Sequence, residues 1–210
     1  MNTTAKFIVF EGIDGAGKTT QIQLLAAALE ERGIKTNISA EPTKLPIGVK
    51  IREKLSGRVE STPIEMAELF AADRAMHNTH PECGINKLLS DGITAISDRY
   101  YYSSMAYQGA YIGLRKVMEL NLDNPDIRHP DLCIFLDLTP EKSLERINAA
   151  GRETTEIYET YEILEQTRNK FFDILNKMEK LGDKIVKIDA SGTIEEVAEK
   201  ILAATLEIYK

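Results

Sequence analysis

Gly12, Gly17, Lys18 and Thr19 stand in the spacing Gly-x-x-x-x-Gly-Lys-Thr, directly behind the apolar run Phe7-Ile8-Val9-Phe10. Glycine loses more backbone entropy on folding than any other residue, so Gly12, Gly15 and Gly17 in one turn need a local reason. Phosphate supplies one. Successive backbone N–H groups can curl around a nucleotide's phosphates, and the turn Gly12-Ile13-Asp14-Gly15-Ala16-Gly17-Lys18-Thr19-Thr20 has the composition for it. Lys18 would reach the β- and γ-phosphates of ATP, and Thr19 would hold Mg²⁺. From Lys18 to Glu31 apolar residues fall at Ile22, Leu25, Ala26 and Leu29, the spacing of an amphipathic helix. Its amino terminus, with unpaired N–H groups, would face the loop and favour an anion. A Gly-rich turn with an exposed lysine is the plainer alternative, and strand, loop and helix in this order argue against it.

Two more stretches carry chemistry. In AISDRYYYSSMAYQG, Asp98 follows a buried strand, as does the Mg²⁺-binding aspartate of many phosphoryl-transfer enzymes, and Arg99 offers a planar fork for a phosphate. Alone, Asp98 and Arg99 would read as a surface ion pair beside an aromatic loop. In ELFAADRAMH, Phe70 and Arg74 lie four apart and share a helix face, so a ring and a guanidinium could stack on a flat base and bond its exocyclic oxygen. By itself that pair would read as a core Phe and a solvated Arg. All three stretches occur in one chain, which favours the chemical reading of each.

The elements that must position them form an α/β pattern. Short strands are expected at Lys6–Glu11, Thr36–Ala40, Ile93–Ser97, Leu132–Leu138 and Lys184–Ile188, apolar on consecutive residues, as in a parallel sheet covered on both faces. Helices are expected at Lys18–Arg32, Ile47–Leu55, Pro63 to about Leu89, after Tyr101, and at Leu114–Leu120, Glu141–Asn148, Glu156–Leu181 and Ile194–Ile208. Ligands of such sheets bind beyond the carboxyl ends of the strands, where Glu11, Glu41, Lys44, Asp98, Arg99 and Asp137 recur. The 210 residues suit one α/β domain. A net charge of −7 argues against general affinity for nucleic acid or an anionic membrane. No stretch approaches the roughly twenty apolar residues of a membrane span. Cys83 and Cys133 read as buried free thiols in a reducing cytoplasm; a metal site from Cys83, His77 and His80 has too few ligands.

In order, FEGIDGAGKTTQ, EPT with IG and IR following, FAADR, DRYYYSSMAYQG and PDLCIFLDLTPEKSLERI resemble the thymidylate kinase family, from about Phe7 to Phe172. The resemblance implies a three-layer P-loop kinase fold, a five-stranded parallel sheet between helices with a short lid at about residues 149–155, and a cytoplasmic homodimer. It implies transfer of the ATP γ-phosphoryl to dTMP with Mg²⁺ held through Thr19 and Asp98. Asp14 would meet the 3′-hydroxyl of dTMP, Arg99 its phosphate, Phe70 the face of thymine and Arg74 a thymine carbonyl. Ser104 and Gln108 match the base pocket, and Tyr107 would lie where a 2′-hydroxyl would crowd it. Glu11 matches a family carboxylate of no assigned role.

Some relatives carry a catalytic arginine directly after the loop aspartate, where this chain has Gly15. The charge would then come from the lid, from Arg152 first and Arg146 second. Many relatives also present an arginine after EPT; here Lys44 would substitute as a point charge. Two rival functions remain open on the residues: a kinase for another nucleoside monophosphate such as dUMP, and a nucleotide-dependent switch with no second substrate.

Overall fold

The computed structural model describes residues 5–149 and 160–210. Strands β1 (Phe7–Glu11), β2 (Thr36–Ala40), β3 (Thr94–Asp98), β4 (Leu132–Asp137) and β5 (Ile185–Asp189) form one sheet in the order β2-β3-β1-β4-β5. Every pairing is parallel, with Phe10 beside Asp98 on one side and Glu11 beside Phe135 on the other. The helices are α1 (Lys18–Glu30), α2 (Pro46–Leu55), α3 (Pro63–Thr79), α4 (Ile85–Ser90), α5 (Tyr101–Tyr107), α6 (Gly109–Ile112), α7 (Leu114–Leu122), α8 (Pro140–Ala149), α9 (Tyr161–Lys180) and α10 (Ile194–Leu206).

Side chains alternate across a strand, so β1 feeds two cores. Phe7 and Val9 pack with Tyr100, Tyr101, Tyr102 and Phe135 under Phe171 and Leu175 of α9. Ile8 and Phe10 pack on the other face with Ile22, Leu25 and Leu29 of α1 and Val197 and Ile201 of α10. All five residues of β1 are buried, which explains its unbroken apolar run. The chain leaves β1 toward the β2 edge and leaves β4 toward the β5 edge. A crevice therefore opens beyond their carboxyl ends, beside Gly12 and Asp137.

Several expected boundaries shift. The single helix expected from Pro63 to about Leu89 is two, because Pro81 disfavours helical backbone at His80, which is extended at ψ 126°. The segment after Tyr101 is two short helices, and Gly113 at φ 86° separates them from α7. α9 begins at Tyr161 behind Thr160, whose hydroxyl accepts from the Ile163 N–H at 3.4 Å. The expected start at Glu156 lies outside the described residues. Cys133 is buried as expected, but Cys83 is exposed, since it follows Pro81 in the turn between α3 and α4 rather than in a helix face. The tyrosines of DRYYYSS form no surface loop: Tyr100, Tyr101 and Tyr102 are fully buried, and Asp183 accepts from the Tyr101 and Tyr102 hydroxyls at 2.7 and 2.6 Å.

The loop from Glu41 to Leu45 is clamped from two sides. Asp73 of α3 accepts from the Thr43 backbone N–H at 2.7 Å and from its hydroxyl at 2.6 Å. Opposite, Gly48 of α2 packs so closely that a Cβ there would stand 2.0 Å from the Thr43 carbonyl oxygen. Backbone cannot retreat as a flexible side chain can. Gly48→Ala is expected to cost about 1–3 kcal/mol, read by thermal melting as roughly 2–4 °C of Tm per kcal/mol. An unchanged Tm would mean that the loop is not held there.

Candidate active site

The loop after β1 takes its shape from glycines. Gly12 has φ 145°, and a Cβ on it would meet the Leu136 carbonyl oxygen at 2.7 Å. Gly15 has φ 78°, and its Cβ would lie 2.7 Å from the Ser143 carbonyl oxygen of α8. Both positions combine left-handed backbone with no room for a side chain. The hydroxyl of Ser143 also donates to the Asp14 carbonyl, so α8 and the loop are tied together. α8 therefore occupies the space that an arginine after Asp14 would need.

Lys18 turns back over this loop, donating from Nζ to the Gly12 and Ile13 carbonyls at 3.0 and 3.1 Å. Burial lowers its pKa, Arg99 lowers it further, and Asp98, Asp14 and Glu11 oppose the change. Thr19 donates from Oγ1 to Asp98 Oδ2 at 3.4 Å. The other oxygen, Asp98 Oδ1, is buried and has no hydrogen-bond partner among the described residues. A hydroxyl and an unsatisfied carboxylate oxygen suit a hard cation such as Mg²⁺, which takes one or two protein oxygens and keeps phosphate and water as its other ligands.

Arg99 is held from its backbone outward. Its N–H donates to the Phe10 carbonyl at 2.9 Å while its φ is 70°, a left-handed conformation that costs on the order of 1–3 kcal/mol in a residue of this bulk. The guanidinium binds Asp14 Oδ1 at 2.5 Å and donates to Ser103 Oγ at 3.0 Å, 5.4 Å from the Tyr107 ring centroid. Burial opposes its charge, but Tyr107, Asp14, Glu11 and Asp98 together hold its pKa above the ordinary value. Glu11 anchors this turn. Its carboxyl accepts from the Tyr100 N–H at 2.9 Å, the Ser103 N–H at 3.1 Å and the Ser103 hydroxyl at 2.7 Å. Burial nevertheless pushes its pKa up to about 7, against the pull of Arg99 and these hydrogen bonds.

On α3, Phe70 and Arg74 share one face, as their spacing predicts, and both line a cavity of about 580 Å³. Ser104, Tyr107 and Gln108 line it from α5 and the residue after it, and Arg52 of α2 stands at its edge. Arg74 is 1% exposed. It is not the solvated charge that the segment alone would suggest, because Glu41 lies against it, 2.6 Å from Nη2. A second cavity, about 470 Å³, is lined by Lys18, Thr19, Thr20, Asp98 and Arg146. Asp14, Glu41 and Arg99 line both. Two ligand spaces therefore meet at one guanidinium.

A thymidylate kinase family model matches residues 10–201. The chain belongs to the thymidylate kinase family. It is 36% identical over 208 residues to the thymidylate kinase of Caldicellulosiruptor saccharolyticus, covering 98% of each chain. It is 37% identical over 206 residues to that of Francisella tularensis subsp. novicida, covering 94% of this chain and 93% of the relative. A probable thymidylate kinase of Methanococcus aeolicus is 38% identical, with 96% of each chain covered.

Against the family pattern, two placements stand out. Lys44 is exposed and lines neither cavity, whereas Arg52 donates to the Thr43 carbonyl at 2.5 Å and to the Pro42 carbonyl, at the edge of the first cavity. The signal for Arg52 was in the IR that follows EPT, three and four residues beyond Gly48, where helical spacing returns the side chain to the loop. Asn121, buried against Arg74, carried no chemical signal in the sequence, and Glu41 was marked only as a strand-end acid of EPT with no link to Arg74. Arg152, and Glu156, Tyr158 and Glu159 after it, lie outside the described residues. Arg146 does line the second cavity and donates to the Ala190 carbonyl at 2.9 Å.

Two outcomes are expected. Arg52→Ala should raise KM for the phosphate-accepting substrate about tenfold or more, while Lys44→Ala changes it less than about threefold; steady-state kinetics with equal effects would remove the distinction. For Glu11, a folded pKa near 7 against 4.5 unfolded means stability present below about pH 4.5 and lost as pH rises through 7. The full loss is about 3 kcal/mol. In ligand-free protein the Tm of Glu11→Gln relative to the parent should therefore rise between pH 5 and pH 8. A difference that stays flat would mean that Glu11 ionises normally.

Proposed function

We propose that this enzyme transfers the γ-phosphoryl group of ATP to dTMP, forming dTDP, with Mg²⁺ as the metal. The observation that carries the reading is the pair of cavities joined at Arg99 and Asp14, one behind a phosphate-binding loop and one walled by an aromatic ring and an arginine. ATP would lie with its phosphates on Gly12 to Thr20, and Lys18 would exchange its loop carbonyls for phosphate oxygens. Arg99 would hold the dTMP phosphate, whose anionic oxygen attacks without needing a general base. Mg²⁺, held through Thr19 and Asp98, would neutralise charge on the transferring group. Asp14 would also meet the 3′-hydroxyl, and Tyr107 would crowd a 2′-hydroxyl.

The base end supports a thymine-like ring. Phe70 supplies a face for stacking and Arg74 supplies an N–H donor for a carbonyl. Gln108 Oε1 is buried with no hydrogen-bond partner among the described residues, an acceptor suited to a ring N–H. A donor and an acceptor lining one cavity would complement the 4-carbonyl and N3–H of thymine or uracil and mismatch the amine edge of cytosine. Arg152 would bring positive charge from the lid at about residues 149–155, within a single domain spanning 1–210. A cytoplasmic homodimer belongs to the same proposal and rests on the family resemblance; none of the helices described is long and apolar enough to cross a membrane.

A coupled assay of ADP release with ATP and Mg²⁺ tests this, using dTMP, dUMP, ribose TMP, dCMP, dGMP and thymidine as acceptors. The expected result is kcat/KM for dTMP at least about 100-fold above that for dCMP, and a smaller margin over dUMP, since one methyl is worth about 1–3 kcal/mol. Preference for another acceptor would overturn the base site. Steady ATP consumption indifferent to every acceptor would restore the switch reading.

A further inference from the structure

A guanidinium carries five N–H donors in one plane, and in Arg74 the protein claims most of them. Nε donates to Glu41 Oε2 at 2.8 Å, and Nη2 lies 2.6 Å from the same oxygen. Nη2 also donates to Ser104 Oγ at 3.2 Å, and Nη1 donates to Asn121 Oδ1. Among the described residues these bonds take the Nε hydrogen, one Nη2 hydrogen and one Nη1 hydrogen, and the ion pair with Glu41 sits against Nη2. The second Nη1 hydrogen stays outside these contacts, on a residue that lines the first cavity. Its direction is set by whatever fixes the group's rotation within its plane.

Asn121 of α7 is built to do that. It is 1% exposed and does not line the cavity. Its Nδ2 donates to the Val117 carbonyl one turn back at 2.8 Å, so Oδ1 must face Arg74. Turning the amide over would set its NH₂ against the guanidinium and its oxygen against a carbonyl, losing two hydrogen bonds in a buried place. The opposite edge of Arg74 is equally fixed, because Glu41 Oε1 is engaged by His77 Nδ1 at 3.0 Å. Tyr100 lies beneath, its ring centroid 5.1 Å from the guanidinium carbon, and Asn78 donates to its hydroxyl at 2.8 Å.

The geometry points to Asn121 as a positioning residue for acceptor specificity: by taking one Nη1 hydrogen, it aims the other at a pyrimidine carbonyl. This rests on the reading of Phe70, Arg74 and Gln108 as the base site. Asn121 touches no substrate and acts through Arg74 alone. Without it, a second Nη1 hydrogen would be left unpaired and open to water or to another acceptor, and discrimination by direction would fall.

The test compares wild type, Asn121→Ala and Asn121→Leu by steady-state kinetics with dTMP and dCMP, with thermal melting and KM for ATP as controls. Both variants are expected to raise KM for dTMP about tenfold, the loss of roughly 1.4 kcal/mol, and to lower the dTMP to dCMP ratio of kcat/KM by a similar factor. KM for ATP should stay within about twofold. A folded variant that keeps the wild-type ratio, or one in which KM rises equally for dTMP and ATP, overturns the inference and leaves the base site standing. Wild type without preference for dTMP over dCMP overturns both. If the leucine variant fails to fold, the smaller alanine gives the same decision.

Discussion

Burying the carboxyl of Glu11 at the end of β1 is the constraint around which the rest of the site is arranged. A carboxyl cannot be fully enclosed without hydrogen-bond donors, and the chain brings three, all from the first turn of α5 and its approach. Those bonds fix where α5 starts. Ser104, Tyr107 and Gln108 then fall along one cavity, and Arg99, two residues before the helix start, passes through left-handed backbone to stand where both cavities meet. One buried acid thus sets the distance between the glycine loop and the Arg99 guanidinium, the two places proposed to hold phosphate.

The second buried charge pair works on the other wall. Glu41 and Arg74 lie 33 positions apart in the chain and meet with almost no solvent contact. Enclosing such a pair costs desolvation that their attraction only just offsets, so its value lies in orientation rather than stability. Breaking one partner would strand the other. That asymmetry ties the loop after β2, clamped by Asp73 and Gly48, to the face of α3 that carries Phe70.

What could be read from the sequence follows from the range of the forces involved. The central strands β1, β3 and β4 were legible because burial on both faces leaves consecutive apolar residues; the edge strands β2 and β5 are only partly buried, and all five still fall within about a residue of expectation. The glycine loop after β1 was legible because its turn is set by residues adjacent in sequence. Phe70 and Arg74 were found by helical spacing, yet the environment of Arg74 was not, since Glu41, Ser104 and Asn121 reach it from 33, 30 and 47 residues away. Lys44 drew attention by adjacency to EPT, while Arg52 reaches the loop through the turn of α2. Pro81 marked the break after α3, but an apolar pattern continuing to Leu89 obscured it.

The contact between Gly15 and the backbone of α8 bears on how the two catalytic arrangements of this family could interconvert. Where relatives keep an arginine after the loop aspartate, this chain has main chain against main chain, tied further by Ser143 to Asp14. No single substitution at position 15 can cross that gap, since even a methyl group would need the helix to withdraw. In this chain the packing of α8, and not the residue at position 15 alone, stands against an arginine there.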